Sequence, residues 1–302
     1  MTALRRTTRT IAMPESVGPL VTLAPEEAGI RLARFIGRHP RLFVLTGAGV
    51  STDSGIPDYR DQQGAWKRRQ PVQHQDFMSR YDVRQRYWGR SLVGWPMIRN
   101  ARPNDAHFRI SELEQRQHTT LLVTQNVDRL HQQAGSRAVV DLHGRLDEVR
   151  CMACHYRTSR DQVHHHSAEL NPDFLELTAT AAPDGDADLE VSFDHFRVVD
   201  CPECGGILKP DVVFFGDFVP KERVVSAHEA LAASDGLLVI GSSLMVYSGL
   251  RFCRYAKELG KPLATLNLGR TRADNLMDLQ LHADITESLN VCLSALTPGS
   301  FS

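Results

Sequence analysis

Two C-x-x-C pairs carry the most specific chemistry in the sequence: Cys151 with Cys154, and Cys201 with Cys204, the second followed by Gly205-Gly206. Four thiolates suit a tetrahedral zinc ion, and the paired glycines supply the tight turn of a zinc knuckle. Four sulfurs leave zinc no open position, so the expected metal is structural rather than catalytic. The 46 residues from 155 to 200 exceed the usual spacing of a zinc ribbon and imply an insertion between the knuckles. The competing readings are two unrelated pairs or a redox C-x-x-C. His164, His165 and His166 lie inside the insertion and could also ligate a metal, but they read as part of a solvated loop.

A second set of chemistry-bearing residues falls at the ends of apolar runs. His143 is the candidate acid or base, because it follows the run 138–142 and precedes Gly144. Asn126 and Asp128 can hydrogen-bond a carboxamide or sugar hydroxyls, although Asp128 would equally serve as the cap of a following helix. Gly47, Ala48 and Gly49 break abruptly from the run Leu42–Leu45. Glycines placed there let the backbone turn and approach a ligand, and exposed N–H groups suit a pyrophosphate. The match to G-x-G-x-x-G is incomplete, since Thr52 holds the third position and Gly55 comes three residues late. No acidic residue closes a second strand about 20 residues on, where a ribose would want one. A plain structural turn therefore remains open.

Those residues need elements to hold them. Residues 25–39 form an amphipathic helix with Ala28, Leu32, Phe35 and Ile36 on one face and Glu26 and Glu27 in the first turn. Strands are expected at 42–45, 119–125, 138–142, 236–240 and 262–268, with a short extended run at 212–215. Helices are expected at 129–134, 221–233 and 249–259, the last ended by Gly260. Residues 61–105 read as helical pieces whose aromatics, among them Trp66, Tyr81, Tyr87, Trp88 and Trp95, fill a core, and 155–200 as largely loop. Short strands alternating with helices give a Rossmann-like, doubly wound parallel α/β sheet with a smaller zinc-binding module. The segments GAGVS, QNVD, GSSL and NLG each follow a strand. In an open parallel sheet the carboxyl ends of the strands line one crevice, so these four segments converge there and favour a nucleotide ligand.

The totals set limits. A chain of 302 residues holds one large domain, or a large and a small one. A net charge of −1 gives no bulk case for nucleic acid, and no apolar run reaches membrane-spanning length. Six cysteines without a secretory h-region favour metal over disulfides. The N-terminus carries Arg5, Arg6 and Arg9 and no acid before Glu15. It reads as a disordered leader over 1–24 in a bacterial cytoplasmic protein, the alternative being a mitochondrial targeting segment.

Taken together, GAGVSTDSGIPDYR, TQNVD, the His143 of DLHG, the two cysteine pairs, KPDVVFFGD, GSSL and NLG occur in sirtuin order. The chain resembles that family of NAD-dependent protein-lysine deacylases over about residues 25–296. The likeness leans to the class II, mitochondrial lipoamidase-like branch, through Val83–Trp88, Val93–Pro96 and Ala182–Asp186. It implies Rossmann-like parts at 25–60, 105–147 and 208–296, a helical part at 61–104 and the zinc module at 148–207, all within a catalytic domain over 25–302.

The resemblance also implies roles. Gly47, Ala48, Gly49 and Ser51 would cradle the pyrophosphate of NAD, and Gly55, Asp58, Tyr59 and Arg60 would belong to a cofactor loop whose outer half, from Asp53, moves on NAD binding. Gln125, Asn126 and Val127 would hold the nicotinamide ribose, with Asn126 close to the chemistry, and Asp128 the carboxamide. Gly241, Ser242, Ser243, Asn267, Leu268 and Gly269 would face phosphate and adenosine, with Ile285 loosely aligned to a backbone contact with adenine. His143 would be the general base. Val212, Val213 and Phe214 would pair with the backbone of an acyl-lysine protein or peptide as an added strand. Tyr87 and Arg90, three apart on a helix, resemble a reader of acidic acyl groups, while Arg84, Arg86 and Arg90 equally fit a solvated helix face. Tyr59 for the commoner Phe, Asp217 for the usual Glu and DQQGAW without the typical Ser put the preferred acyl chain in doubt. The implied products are nicotinamide, O-acyl-ADP-ribose and free lysine. The rival readings are protein ADP-ribosyl transfer and a non-catalytic NAD- or ADP-ribose-sensing module.

Overall fold

The structure, a computed structural model, describes residues 20–58, 71–177, 189 and 191–296. In chain order the first half comprises α1 (Pro25–Arg38), β1 (Leu42–Thr46), α2 (His74–Ser79), α3 (Tyr81–Asn100), α4 (Asp105–Gln115), β2 (Thr119–Thr124), α5 (Leu130–Gln133), β3 (Val139–Asp141), β4 (Gly144–Cys151) and β5 (Arg157–Ser159). There follow α6 (Arg160–Leu170), β6 (Leu208–Val212), α7 (Lys221–Ala233), β7 (Gly236–Ile240), α8 (Tyr247–Glu258), β8 (Leu263–Leu266), β9 (Leu279–Leu281) and α9 (Ile285–Ala295). Most of the leader, residues 1–19, lies outside the described residues, as do Trp66, Tyr59, Arg60 and the segment Ala182–Asp186.

The large sheet has the order β3-β2-β1-β7-β8-β9, and every pairing in it is parallel. Its strands are short runs of apolar residues because both faces are covered. In β1, Leu42 and Val44 pack with α1, α4 and α9, while Phe43 and Leu45 pack with α7 and α8. The chain winds outward from β1 through β2 to β3, then crosses back to β7 and winds out through β8 to β9. The direction reverses between β1 and β7, the place where open parallel sheets bind their ligands beyond the carboxyl ends of the strands.

A second, three-stranded antiparallel sheet, β5-β4-β6, carries the cysteine pairs. It shares a core with α3 and α6, in which Tyr87, Trp88 and Trp95 are buried, whereas Tyr81 is exposed.

Two expectations are corrected, and four elements are added. Within residues 155–200, expected to be largely loop, 157–170 form β5 and α6: α6 carries His164, His165 and His166, and Ser159 with Gln162 forms a capping box at its start. The inward face of α6 begins with a buried arginine, Arg160, stacked over Trp88 and Trp95 with its guanidinium carbon 4.5 and 5.5 Å from the ring centres. A helix that buries a cation lacks the apolar stripe that a periodicity search needs. The extended run expected at 212–215 is instead a strand at Leu208–Val212, with Phe215 making only an isolated bridge to Gln73. Here the buried Lys209 and Asp211 masked the strand pattern. Finally, α4, β4, β9 and α9 fall where the sequence suggests no element.

Candidate functional site

The loop after β1 is fastened to the loop after β7. Gly47 N–H donates to the Ile240 carbonyl and Gly49 N–H to the Gly241 carbonyl, at 3.2 and 2.9 Å. A β-carbon on Gly49 would sit 2.9 Å from the Gly241 oxygen, closer than packing allows. The glycines thus permit close loop-to-loop packing, a role the sequence did not suggest. The amides of Gly47 and Gly49 are therefore both engaged within the protein. Ser243, next to this junction, accepts from Arg272 N–H at 2.9 Å.

The loop after β2 docks on the same junction. Gln125 donates from Nε2 to Ser242 Oγ at 2.7 Å, and Asn126 donates from Nδ2 to the Gly47 carbonyl and to Ser51 Oγ at 3.1 and 3.0 Å. Ser51 Oγ in turn donates to Asp128 Oδ2 at 2.7 Å, while Asp128 Oδ1 accepts Leu130 N–H at 2.9 Å. Asp128 lies one residue before the N-cap of α5, which is Arg129 in the left-handed region, so it is not the cap the sequence offered; it holds the first helical N–H from outside the helix and meets the loop after β1 through Ser51. Burial raises its carboxyl above the usual range, opposed by those two hydrogen bonds.

Behind this layer lies a network that the sequence reading missed. Asn104 and His107 form a capping box at the start of α4, His107 faces Ser51 at 3.5 Å, and the rings of His107 and His131 lie 4.9 Å apart. His131 Nε2 meets Thr46 Oγ1 at 2.9 Å. Only the N-x-x-H spacing of Asn104 and His107 signalled any of this, as an N-cap pattern.

His143 follows β3 at the same edge. Its Nδ1 lies 3.0 Å from the Gln125 carbonyl and its Nε2 2.6 Å from Ser248 Oγ. Burial pushes its pKa down to about 4, opposed by the Gln125 hydrogen bond and reinforced by the nearby charges of Arg251 and Arg223. A neutral imidazole is the form a general base needs. The His143 carbonyl accepts Val213 N–H at 2.8 Å, which ties the expected substrate strand to the base. Gly144 permits this crossing: its φ is +88°, and a β-carbon there would lie 1.9 Å from the Asp211 carbonyl oxygen.

Phe214 continues from that strand into an aromatic cluster, with ring centres 5.2 Å from both Phe77 and Tyr87. Tyr87 is buried and Arg90 half-buried, on one face of α3. Gly269 is buried behind Asn267, whose Nδ2 donates to its carbonyl at 2.8 Å, and Leu268 is exposed. Gly55 ends a short turn with φ +81°, and Val127 is buried. Ile285 stands apart from the rest: its side chain is packed in the core with α1 at the start of α9, so only its backbone is left to meet a ligand.

The four cysteine sulfurs lie within 4.8 Å of one another, with Cys151–Cys204 at 3.5 Å and Cys154–Cys201 at 3.7 Å. Tetrahedral zinc with thiolates needs sulfurs about 3.8 Å apart. The donor set therefore fits a zinc ion, and no residue of the quartet bonds as a disulfide.

Two buried histidines, His107 and His131, and the half-buried His143 make the fold acid-sensitive. Burial lowers the pKa of His107 and His143 to about 4 and that of His131 well below 6.5. Between 6.5 and about 4 the unfolded chain binds three protons that the folded one refuses, so stability falls as pH falls through that window. Asp128, shifted upward, offsets at most one of them. Each net proton contributes about 1.4 kcal/mol per pH unit. The urea midpoint should therefore drop steeply from pH 7 to pH 5; a flat profile would show that these rings protonate in place.

The fold and site define a dinucleotide-binding α/β protein with a histidine at the crevice and a separate four-thiolate module. The family described as the Sir2 family matches residues 47–248. A protein named NAD-dependent protein deacetylase from Xanthomonas campestris pv. campestris strain 8004 is 57% identical over 270 residues, covering 89% of this chain and 92% of its own. The NAD-dependent protein deacylase Sirt4 of Drosophila melanogaster is 45% identical over 257 residues, covering 84% and 82%. A solved structure described as Sir2-p53 peptide-NAD+ superposes with a TM-score of 0.69 at 27% identity, covering 90% of this chain and 98% of that one. The chain belongs to the Sir2 family, the sirtuins.

Proposed function

We propose that this protein is an NAD-dependent protein-lysine deacylase that releases nicotinamide, O-acyl-ADP-ribose and free lysine. The observation that carries the reading is His143, a neutral imidazole at the carboxyl edge of the sheet, bonded through its own carbonyl to Val213. NAD supplies a ribose carbon that nicotinamide leaves and a ribose hydroxyl that must lose a proton. His143 accepts that proton at Nε2, since Nδ1 is committed to Gln125. Asn126 and Asp128 orient the nicotinamide riboside half, and Ala48, Ser242 and Ser243 the phosphates. β6 is the edge of its sheet, so a peptide can add alongside Val212–Phe214 and bring its acyl-lysine toward His143. Zinc, held by Cys151, Cys154, Cys201 and Cys204, braces the small module and takes no part in the reaction.

The likeness to the Drosophila deacylase and the Val83–Trp88 and Val93–Pro96 segments support a class II reading, with longer or branched acyl groups preferred over acetyl. Tyr87 and Arg90 border that acyl pocket in this reading. Among the described residues no helix is long and apolar enough to cross a membrane. The bacterial relatives support a cytoplasmic setting over a mitochondrial one.

The test is a panel of lysine peptides carrying acetyl, lipoyl, glutaryl-type and longer acyl groups, assayed for nicotinamide release with NAD. Release is expected only with acylated peptide, and faster with one or more of the longer groups. Removal of acetyl alone would end the class II reading, and nicotinamide release indifferent to acylation would end the deacylase reading.

A further inference from the structure

We propose that Ser248 is a positioning residue for His143: its hydroxyl holds the reactive nitrogen in the free protein and yields that place to the substrate hydroxyl. The inference rests on the reading of His143 as the base and adds a residue that this reading leaves unused.

The hydrogen-bond chemistry fixes the tautomer. The Gln125 carbonyl can only accept, so His143 Nδ1 carries the proton and Nε2 presents its lone pair. The group 2.6 Å from that lone pair is Ser248 Oγ, which must then donate. The distance is at the short end for such a bond, and Ser248 is only 7% exposed, so bulk water does not compete for it.

The position of Ser248 is also set from behind. It is the second residue of α8, and the next residue, Gly249, packs so closely on Gln125 that a β-carbon would lie 2.6 Å from Oε1. The start of α8 is thus pressed against the residue whose carbonyl holds the other side of the imidazole. Gln125 and Ser248 grip the ring from its two nitrogens.

Two consequences follow. A hydroxyl that donates to Nε2 favours the neutral ring over the charged one. The charged groups facing His143 act in the same direction: Arg251, one turn along α8 from Ser248, and Arg223 on α7. In addition, the ribose hydroxyl must reach the lone pair that Ser248 occupies. The substrate O–H takes over the bond as the serine rotamer turns, its proton passes to Nε2, and Ser248 keeps its own proton throughout.

The experiment compares wild type, Ser248→Ala, Ser248→Thr and Ser248→Cys. The His143 ring is titrated by NMR in the free protein, and kcat/KM for NAD is followed against pH with an acylated peptide. Ser248→Ala should raise the His143 midpoint by roughly 0.5–1 pH unit, the worth of one lost hydrogen bond. The acid limb of kcat/KM should move up by the same amount. Ser248→Thr keeps a hydroxyl and should keep the wild-type midpoint, with the weakly donating Cys between. Thermal melts identify any variant that fails to fold, and the three substitutions give independent chances of a folded one. A His143 midpoint unchanged in Ser248→Ala, or shifted equally in Ser248→Thr, overturns the proposal. The NMR titration does not depend on which residue is the base. A shift seen by NMR without any movement of the acid limb would therefore fault the reading of His143 instead.

Discussion

His143→Ala is expected to lower NAD-dependent acyl removal by ~10²–10⁴-fold, the usual contribution of a positioned base. NAD affinity should stay within a few fold, because the groups assigned to the dinucleotide are held without the imidazole. Gly47 and Gly49 are fixed by Ile240 and Gly241, Asn126 by Gly47 and Ser51, and Asp128 by Ser51 and Leu130. Among the described residues the side chain of His143 bonds Gln125 and Ser248 alone at this edge. Its loss leaves the Gln125 carbonyl one partner short but keeps that residue's own bond to Ser242. Calorimetric titration with NAD and single-turnover acyl removal separate binding from chemistry. Acyl removal at the wild-type rate in a folded His143→Ala variant would show that another group accepts the proton.

Much of this site was legible because parallel sheets collect it. β1 reads as a strand from four consecutive apolar residues, and such a run occurs only where both faces are buried. Once the strands are in order, the carboxyl-end rule brings the segments at 47, 125, 241 and 267 together without further information. What stayed hidden depends on contacts far apart in sequence. The approach of Ser51 to Asp128 spans 77 positions, and that of His143 to Ser248 spans 105. Nothing in a window of helix or strand length reports either one. The packing role of the glycines is hidden for the same reason, since the backbone that crowds Gly49 belongs to Gly241, which follows another strand. Helix α6 escaped through chemistry rather than distance: its buried positions include Arg160 and Ser167, so apolar periodicity falls silent where a cation–π stack does the packing. His107 and His131 are polar residues in a core, and only their neutral state makes that burial tolerable.

Stripping the metal should unfold the smaller module and stop acyl removal while the large sheet persists. Thiolate–zinc binding in small modules amounts to ~10–16 kcal/mol, comparable to a domain's whole stability of ~5–15 kcal/mol. Its loss would fall on β4, β5 and β6. Cys151 ends β4, where it pairs with Leu208 of β6, and Cys201 shares the core with Val149, Val163 and Phe196. Four demetallated cysteines so close together leave two buried sulfurs and no cation to hold the knuckles in place. The effect reaches the reaction through one hydrogen bond: β6 runs directly into Val213, whose N–H is held by the His143 carbonyl. Hydrogen exchange after complete chelation should show protection lost at 146–159 and 201–212 and retained at 42–46 and 236–240. Because the quartet leaves no open coordination position, cadmium or cobalt should restore both protection and acyl removal to a similar level as zinc. Unchanged protection in the metal-free protein would mean that packing alone holds the module. An activity set by the identity of the metal, with the fold equally restored, would mean that the ion acts in the chemistry.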